Sequence, residues 1–170
     1  MTSWLIFCEK AQKYMRDLGL LGLRLWAAQE FLFAGWTKLR AGGSAPAWFA
    51  GLDFPFPHQL LGAQLNWLAA GIGEVALGLL LLLGYKSRFA AFGLIYITYV
   101  AVYTVHFDLG WAGWRAIETD EGQGFKVPLM LGLMLFAVLT QGAGRFSLDA
   151  AHARMSSKSN QASSKQAFSS

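Results

Sequence analysis

Four apolar stretches, approximately residues 18–39, 65–83, 89–107 and 127–143, alternate along the chain with shorter polar or aromatic-rich segments. A helix needs about 17 to 25 residues to cross a bilayer, and each stretch is long enough. Inside lipid a backbone must satisfy its own hydrogen bonds, so the pattern predicts helices rather than open sheet. The first stretch carries Arg24, Glu30 and, at its end, Lys38; the second carries only Glu74; the third and fourth carry no charge. The fold class expected is therefore all-α, an integral membrane four-helix bundle over residues 18–150.

The flanks read differently. Residues 1–17 place Trp4, Leu5, Ile6 and Phe7 before Lys10, Lys13 and Arg16, which predicts an amphipathic segment lying on the membrane surface. Residues 151–170 form a polar tail, rich in Ser, Lys and Gln from about Met155, and are expected to be disordered. Between the first two stretches, residues 41–64 crowd Trp48, Phe49, Phe54, Phe56 and three prolines around His58. That loop is either a lid over one mouth of the bundle or an inert segment resting at the headgroups.

Composition narrows the function classes. Only 24 of 170 residues are charged (14 Lys and Arg, 10 Asp and Glu) and 55% are hydrophobic, against about 25% charged in ordinary soluble domains. The single Cys8 excludes an internal disulfide and a Cys-x-x-Cys thiol relay. The net charge of +4 does not imply nucleic acid, because the basic residues border the apolar runs instead of forming a stripe. Lys10, Lys13, Arg16, Lys86, Arg88, Arg145 and Arg154 fall on one side, which places both termini in the cytoplasm.

Carboxylates at mid-bilayer are costly, by roughly 2.5 to 3.5 kcal/mol on insertion scales, so each needs a partner or a function. Glu30 and Glu74 lie near the middles of neighbouring antiparallel spans and are expected at similar depth. Arg24 is expected to snorkel or to reach Glu74, and Lys38 to reach the outer interface. Arg24, Glu30, Lys38 and Glu74 then form a polar track for protons or a ligand headgroup, or a purely structural ion-pair network. Tyr96, Tyr99, Tyr103 and His106 follow at spacings of three, four and three, along one side of the third span. They suit proton movement or contact with a quinone carbonyl, although tyrosine also favours interfaces for its own sake. His58 and His106 lack any metal-ligand motif, so neither haem nor a metal is expected.

Ala34-Gly35-Trp36-Thr37-Lys38, Gly73-Glu74 with Gly78, Leu83-Gly84-Tyr85-Lys86-Ser87-Arg88, and Gly142-Ala143-Gly144-Arg145-Phe146-Ser147-Leu148-Asp149 together resemble the DoxX family over about residues 18–150. The last run, around Gly142, Gly144, Arg145, Ser147 and Asp149, is its most specific part and reads as a helix stop followed by a capped short helix. Ala47-Trp48-Phe49, Pro55-Phe56-Pro57 and Thr104-Val105-His106-Phe107-Asp108 with Gly110-Trp111 resemble the branch associated with enzymes that modify metallophore or metal-buffering peptides. The resemblance implies a bacterial inner-membrane accessory protein, with relatives linked to thiosulfate:quinone oxidoreductase and to oxidative-stress complexes. It assigns no catalytic residue here.

The leading expectation is a redox-associated or assembly component that engages a quinone or small ligand in a polar pocket around Glu30, Lys38, Glu74, Tyr103 and His106, open to the outer side. The alternatives are a transport or export accessory for a modified peptide or metal complex, and a membrane anchor for a partner enzyme. Expected partners are the lipid bilayer, a membrane-bound or soluble redox or peptide-modification protein, and further copies of the chain.

Overall fold

A computed structural model describes residues 2–40 and 42–167. The chain is almost entirely helical: α1 (Thr2–Arg40), a single turn α2 (Ala47–Ala50), α3 (Ala63–Leu83), α4 (Ser87–Val105), α5 (Lys126–Gln141) and α6 (Leu148–Ala167). Short 3-10 turns at His58–Leu60 and Gly110–Arg115 and a two-residue-per-strand hairpin (Glu118–Thr119 with Gly122–Gln123) fill the connections. The long helices close a ring in which α1 packs on α3, α3 on α4, α4 on α5 and α5 on α1. Of these, α3 and α4 are long and apolar enough to cross a membrane, while α5 is apolar but shorter.

The core is built mainly from small and branched residues. Ala27 and Ala28 of α1, Ala90 and Ala91 of α4, and Leu81, Leu94, Leu135 and Val138 are fully buried, and Phe31 nearly so. Alanine pairs let the axes approach, and the leucines fill what remains. Around the perimeter the order is reversed: Trp26, Phe33, Ile72, Leu79, Phe92, Leu133 and Phe136 are exposed.

Glycine sets the distance between α1 and α3. A methyl group on Gly35 would stand 2.7 Å from the Gly71 carbonyl oxygen and 2.9 Å from Cβ of Glu74, and one on Gly78 would stand 3.1 Å from Leu32. The two backbones therefore meet without side chains between them, as small residues permit in helix pairs.

The end of the ring that carries the α3–α4 turn is tied by two charged groups. Arg24, 2% exposed, donates to the backbone carbonyls of Ala143 (2.7 Å) and Phe146 (2.8 Å). It neither snorkels nor reaches Glu74; the segment after α5 leaves two carbonyls unpaired, and the guanidinium fork satisfies both. Asp149 accepts from the backbone N–H of Lys86 (2.7 Å) and Ser87 (3.0 Å) and from the Ser87 hydroxyl (2.9 Å), so it caps α4 from a distance in sequence. Gly84, with φ of 68°, closes α3 in a left-handed turn, and a Cβ there would also strike Arg24 at 2.7 Å.

Gly142 and Gly144 do end α5, each at positive φ, and the Ser147 hydroxyl oxygen accepts from the N–H of Ala150 at 3.2 Å as the cap of α6. Arg145 makes no ion pair with Asp149 among the described residues; its guanidinium lies 5.9 Å from the Tyr14 ring and 6.0 Å from the Phe146 ring.

Residues 2–17 form the first turns of α1, whose 39 residues extend about 58 Å. The tail is helical through Ala167, because Ala150, Ala151, Ala153, Arg154 and Met155 follow a capped start and favour helix. Met1 and residues 168–170 lie outside the described residues.

Gly35→Ala should force α1 and α3 apart and lower stability by about 1 to 3 kcal/mol, the usual cost of overpacking, measured as thermal unfolding in detergent. Burial alone would push the Asp149 carboxyl up, but the N–H groups of Ser87 and Lys86, the Ser87 hydroxyl and the Arg24 charge outweigh it and hold the group below its ordinary value. A depressed value stabilises the fold above the ordinary aspartate range, and that contribution is lost as pH falls through the folded-state value. The stability advantage of the wild type over Asp149→Asn should thus be full above pH ~5 and shrink below ~4.

Candidate functional site

The other end of the ring is closed by the aromatic-rich loop. Phe49 is buried and packs edge-on against Phe54 (5.2 Å between centroids) and Trp67 of α3 (4.8 Å), with Trp48 on the same indole at 6.1 Å. Asn66 and His58 fasten it further. The Asn66 amide nitrogen donates to the carbonyls of His58 (2.9 Å) and Leu61 (3.3 Å), so its oxygen is the acceptor towards His58 Nδ1 at 2.9 Å. That assigns the proton to Nδ1 and leaves Nε2 to accept from the Tyr96 hydroxyl at 2.8 Å. One imidazole thereby joins the loop to both α3 and α4, and the loop is a lid.

Beneath the lid lies a cavity of about 630 Å³. Its walls come from α1, α3, α4 and the loop, and no residue of α5 lines it. On its floor Lys38 Nζ donates to both oxygens of Glu74, at 2.9 and 2.7 Å. Glu74 is only 6% exposed. The ammonium lies 5.7 Å from the Trp67 ring centroid, so one cation is shared between a carboxylate and an aromatic face. The close approach of Gly35 and Gly71 makes this pair possible, since Gly71 faces Cβ of Lys38 itself.

Two residues of the lining, Trp67 and His106, each carry a nitrogen, Nε1 and Nδ1 respectively, that is fully buried and has no hydrogen-bond partner. Such a group costs about 1 to 3 kcal/mol when left unmade.

Of the residues singled out in the sequence, Lys38, Glu74 and His106 meet in this cavity, with Tyr96 at its edge. Tyr99 and Tyr103 do not. They line an adjoining cleft of about 780 Å³ with Phe107, Trp111 and Phe125, and Thr104 borders both spaces. The tyrosine and histidine stripe is thus divided between two spaces. Glu30 is half-buried on α1, lines neither space and, among the described residues, makes no ion pair. Arg24 and the residues from Gly142 to Asp149 belong to the far end.

Trp67 and Asn66 were missed as site residues. A signal existed: Trp67 precedes Glu74 by seven residues and so shares its helix face. For metals the cavity offers little, since both ring nitrogens of His58 are engaged. Among the described residues no three His, Cys, Asp or Glu side chains gather.

A family model described as DoxX matches residues 19–107. A protein of Haemophilus influenzae, described as uncharacterized, is 35% identical over 142 residues, which is 82% of this chain and 87% of the relative. No solved structure matches.

Lys38→Met leaves the Glu74 charge buried with no cation and should cost about 3 to 5 kcal/mol of stability. Replacing both, Lys38→Met with Glu74→Leu, should recover most of that loss. Unfolding of the two single variants and the double variant, read as a cycle, checks the coupling.

Proposed function

The chain belongs to the DoxX family, and from that premise we propose that it is a four-span protein of a bacterial inner membrane whose lidded cavity holds a quinone or comparable small ligand. Support for the membrane part comes from the perimeter, where large apolar side chains are exposed on every long helix while alanines are buried. The 21 residues of α3 rise about 31 Å, the thickness of a hydrocarbon core. The 16 residues of α5 rise only about 24 Å, a mismatch that Lys126 and Gln141 at its ends can absorb by reaching the interface. Lys86, Arg88, Arg145 and Arg154 gather at the turn end, which favours that end and both termini as cytoplasmic, with the lid outside.

One observation carries the ligand part: a largely aromatic and apolar cavity whose floor is a buried ion pair. Apolar walls with a few convergent polar groups are the usual make-up of a small-molecule site. In this role the protein serves a redox or assembly system as a ligand-holding component. A conduit for peptides or metal complexes is less well supported, because the fully buried Leu81, Leu94, Leu135 and Val138 fill the ring's interior.

The test is binding of a short-tailed quinone to the full-length protein in nanodiscs, with empty nanodiscs subtracted. The wild type should retain quinone, and Ala101→Trp, which fills the cavity from α4, should lose it. Retention no greater than that of empty nanodiscs, or equal retention by the filled variant, overturns the reading.

A further inference from the structure

The outward side of α1 takes part in neither the cavity nor the turn end. Phe7, Ala11, Leu18, Gly22, Leu25 and Gln29 are all exposed there, and at 100° per residue they fall within an arc of about 60°. That stripe stands roughly 140° from the arc that buries Leu20, Arg24, Ala27, Ala28 and Phe31. It runs through two surroundings without changing face. Residues 4–16 are exposed without interruption before Asp17, about 20 Å of helix beyond the ring, whereas Gly22, Leu25 and Gln29 belong to the spanning part. The side-chain hydrogen bonds of α1 come from Arg24, Thr37 and Lys38, and Gln29 makes none among the described residues. Its amide stands about 7.5 Å past Arg24 along the axis, between exposed Leu25 and Trp26 on one side and exposed Phe33 and Trp36 on the other.

Resting on the membrane-spanning reading above, we propose that this stripe is the seam of a parallel two-fold dimer, its occupant a second copy of this chain. Copies inserted the same way are related by an axis along the membrane normal, so each stripe residue meets its own counterpart at its own depth. An amide both donates and accepts, so two Gln29 side chains complete each other, whereas lipid tails complete neither. Gly22 has open space at its Cβ position, which lets a second backbone approach. Lys13 and Arg16 lie about 150° from the stripe, so the pairing presses no like charges together. Lipid would cover only the spanning half of the stripe and a soluble partner only the protruding half. A second copy covers both on one face.

The test uses the full-length protein in native membranes, with Cys8→Ser removing its one native thiol. Ala11→Cys and Leu25→Cys, both on the stripe, should each give a disulfide-linked dimer under copper phenanthroline several-fold faster than Lys13→Cys on the far side. Native mass spectrometry in mild detergent, over a dilution series, should find two copies for the wild type. Gln29→Leu should weaken that dimer about three- to thirtyfold, the range of an interhelical hydrogen bond. Gly22→Leu, which fits the single chain, should also drive the copies apart. A wild-type mass other than two copies, equal cross-linking at 11 and 13, cross-linking at 11 without 25, or undiminished pairing in Gln29→Leu overturns the inference. So does an Ala11→Cys thiol that neither cross-links nor reacts with a water-soluble maleimide, which would lay the extension on the bilayer. The wild-type mass decides the matter even if a variant fails to fold. A membrane-bound monomer sinks this inference alone, whereas a chain recovered outside the membrane fraction sinks the spanning reading with it.

Discussion

A carboxylate removed from water needs a cation within hydrogen-bond reach, and Glu74 has one because two helix backbones touch. Gly35 and Gly71 bring α1 and α3 so close that Lys38 emerges directly over the acid. Each component is conditional on the other: a wider helix pair would strand the charge, and an apolar residue at 74 would leave the ammonium without a partner. Since the pair forms the floor of the cavity, the cavity inherits its position from backbone packing, not from the loop that covers it. The lid adds a roof, held by an aromatic cluster and one imidazole.

The opposite end solves a different problem with similar means. There the chain must turn twice in a small space, after α3 and after α5, and both turns expose backbone groups that have no helical partner. Arg24 answers two carbonyls and Asp149 two N–H groups. Both charges are spent chiefly on main chain. Arg24 and Lys38 are fourteen residues apart, about four turns, so a single face of α1 carries the cation for each end over a rise of about 21 Å.

The long helices were legible because apolar length and glycine stops are local properties. The stretches expected at 65–83, 89–107 and 127–143 appear as Ala63–Leu83, Ser87–Val105 and Lys126–Gln141, each shifted by no more than two residues. The run from Gly142 to Asp149 read correctly as a stop and cap, though its partners did not, since Asp149 caps a helix that begins 62 residues earlier. The site was half legible. Depth along a span can be counted, and it suggested pairing Glu30 with Glu74; azimuth decided otherwise, because Glu30 lies about 80° round the helix from Lys38. The tail misled for a related reason: composition distinguishes polar from apolar but does not break a helix, so α6 runs through it.

Polar satisfaction differs in form between the two ends. At the turn end, the orphaned atoms Asp17 Oδ2 and Arg24 Nε belong to side chains packed against the chain's own backbone, with Gly144 pressed on Asp17 and Ala143 on Arg24. At the lid end, Trp67 Nε1 and His106 Nδ1 belong to side chains that border open volume. At both ends the desolvation cost is carried by the surrounding packing. The cavity at the lid end lies over a neutralised ion pair, whereas the Arg24 clamp fastens the fold by closing on main-chain carbonyls.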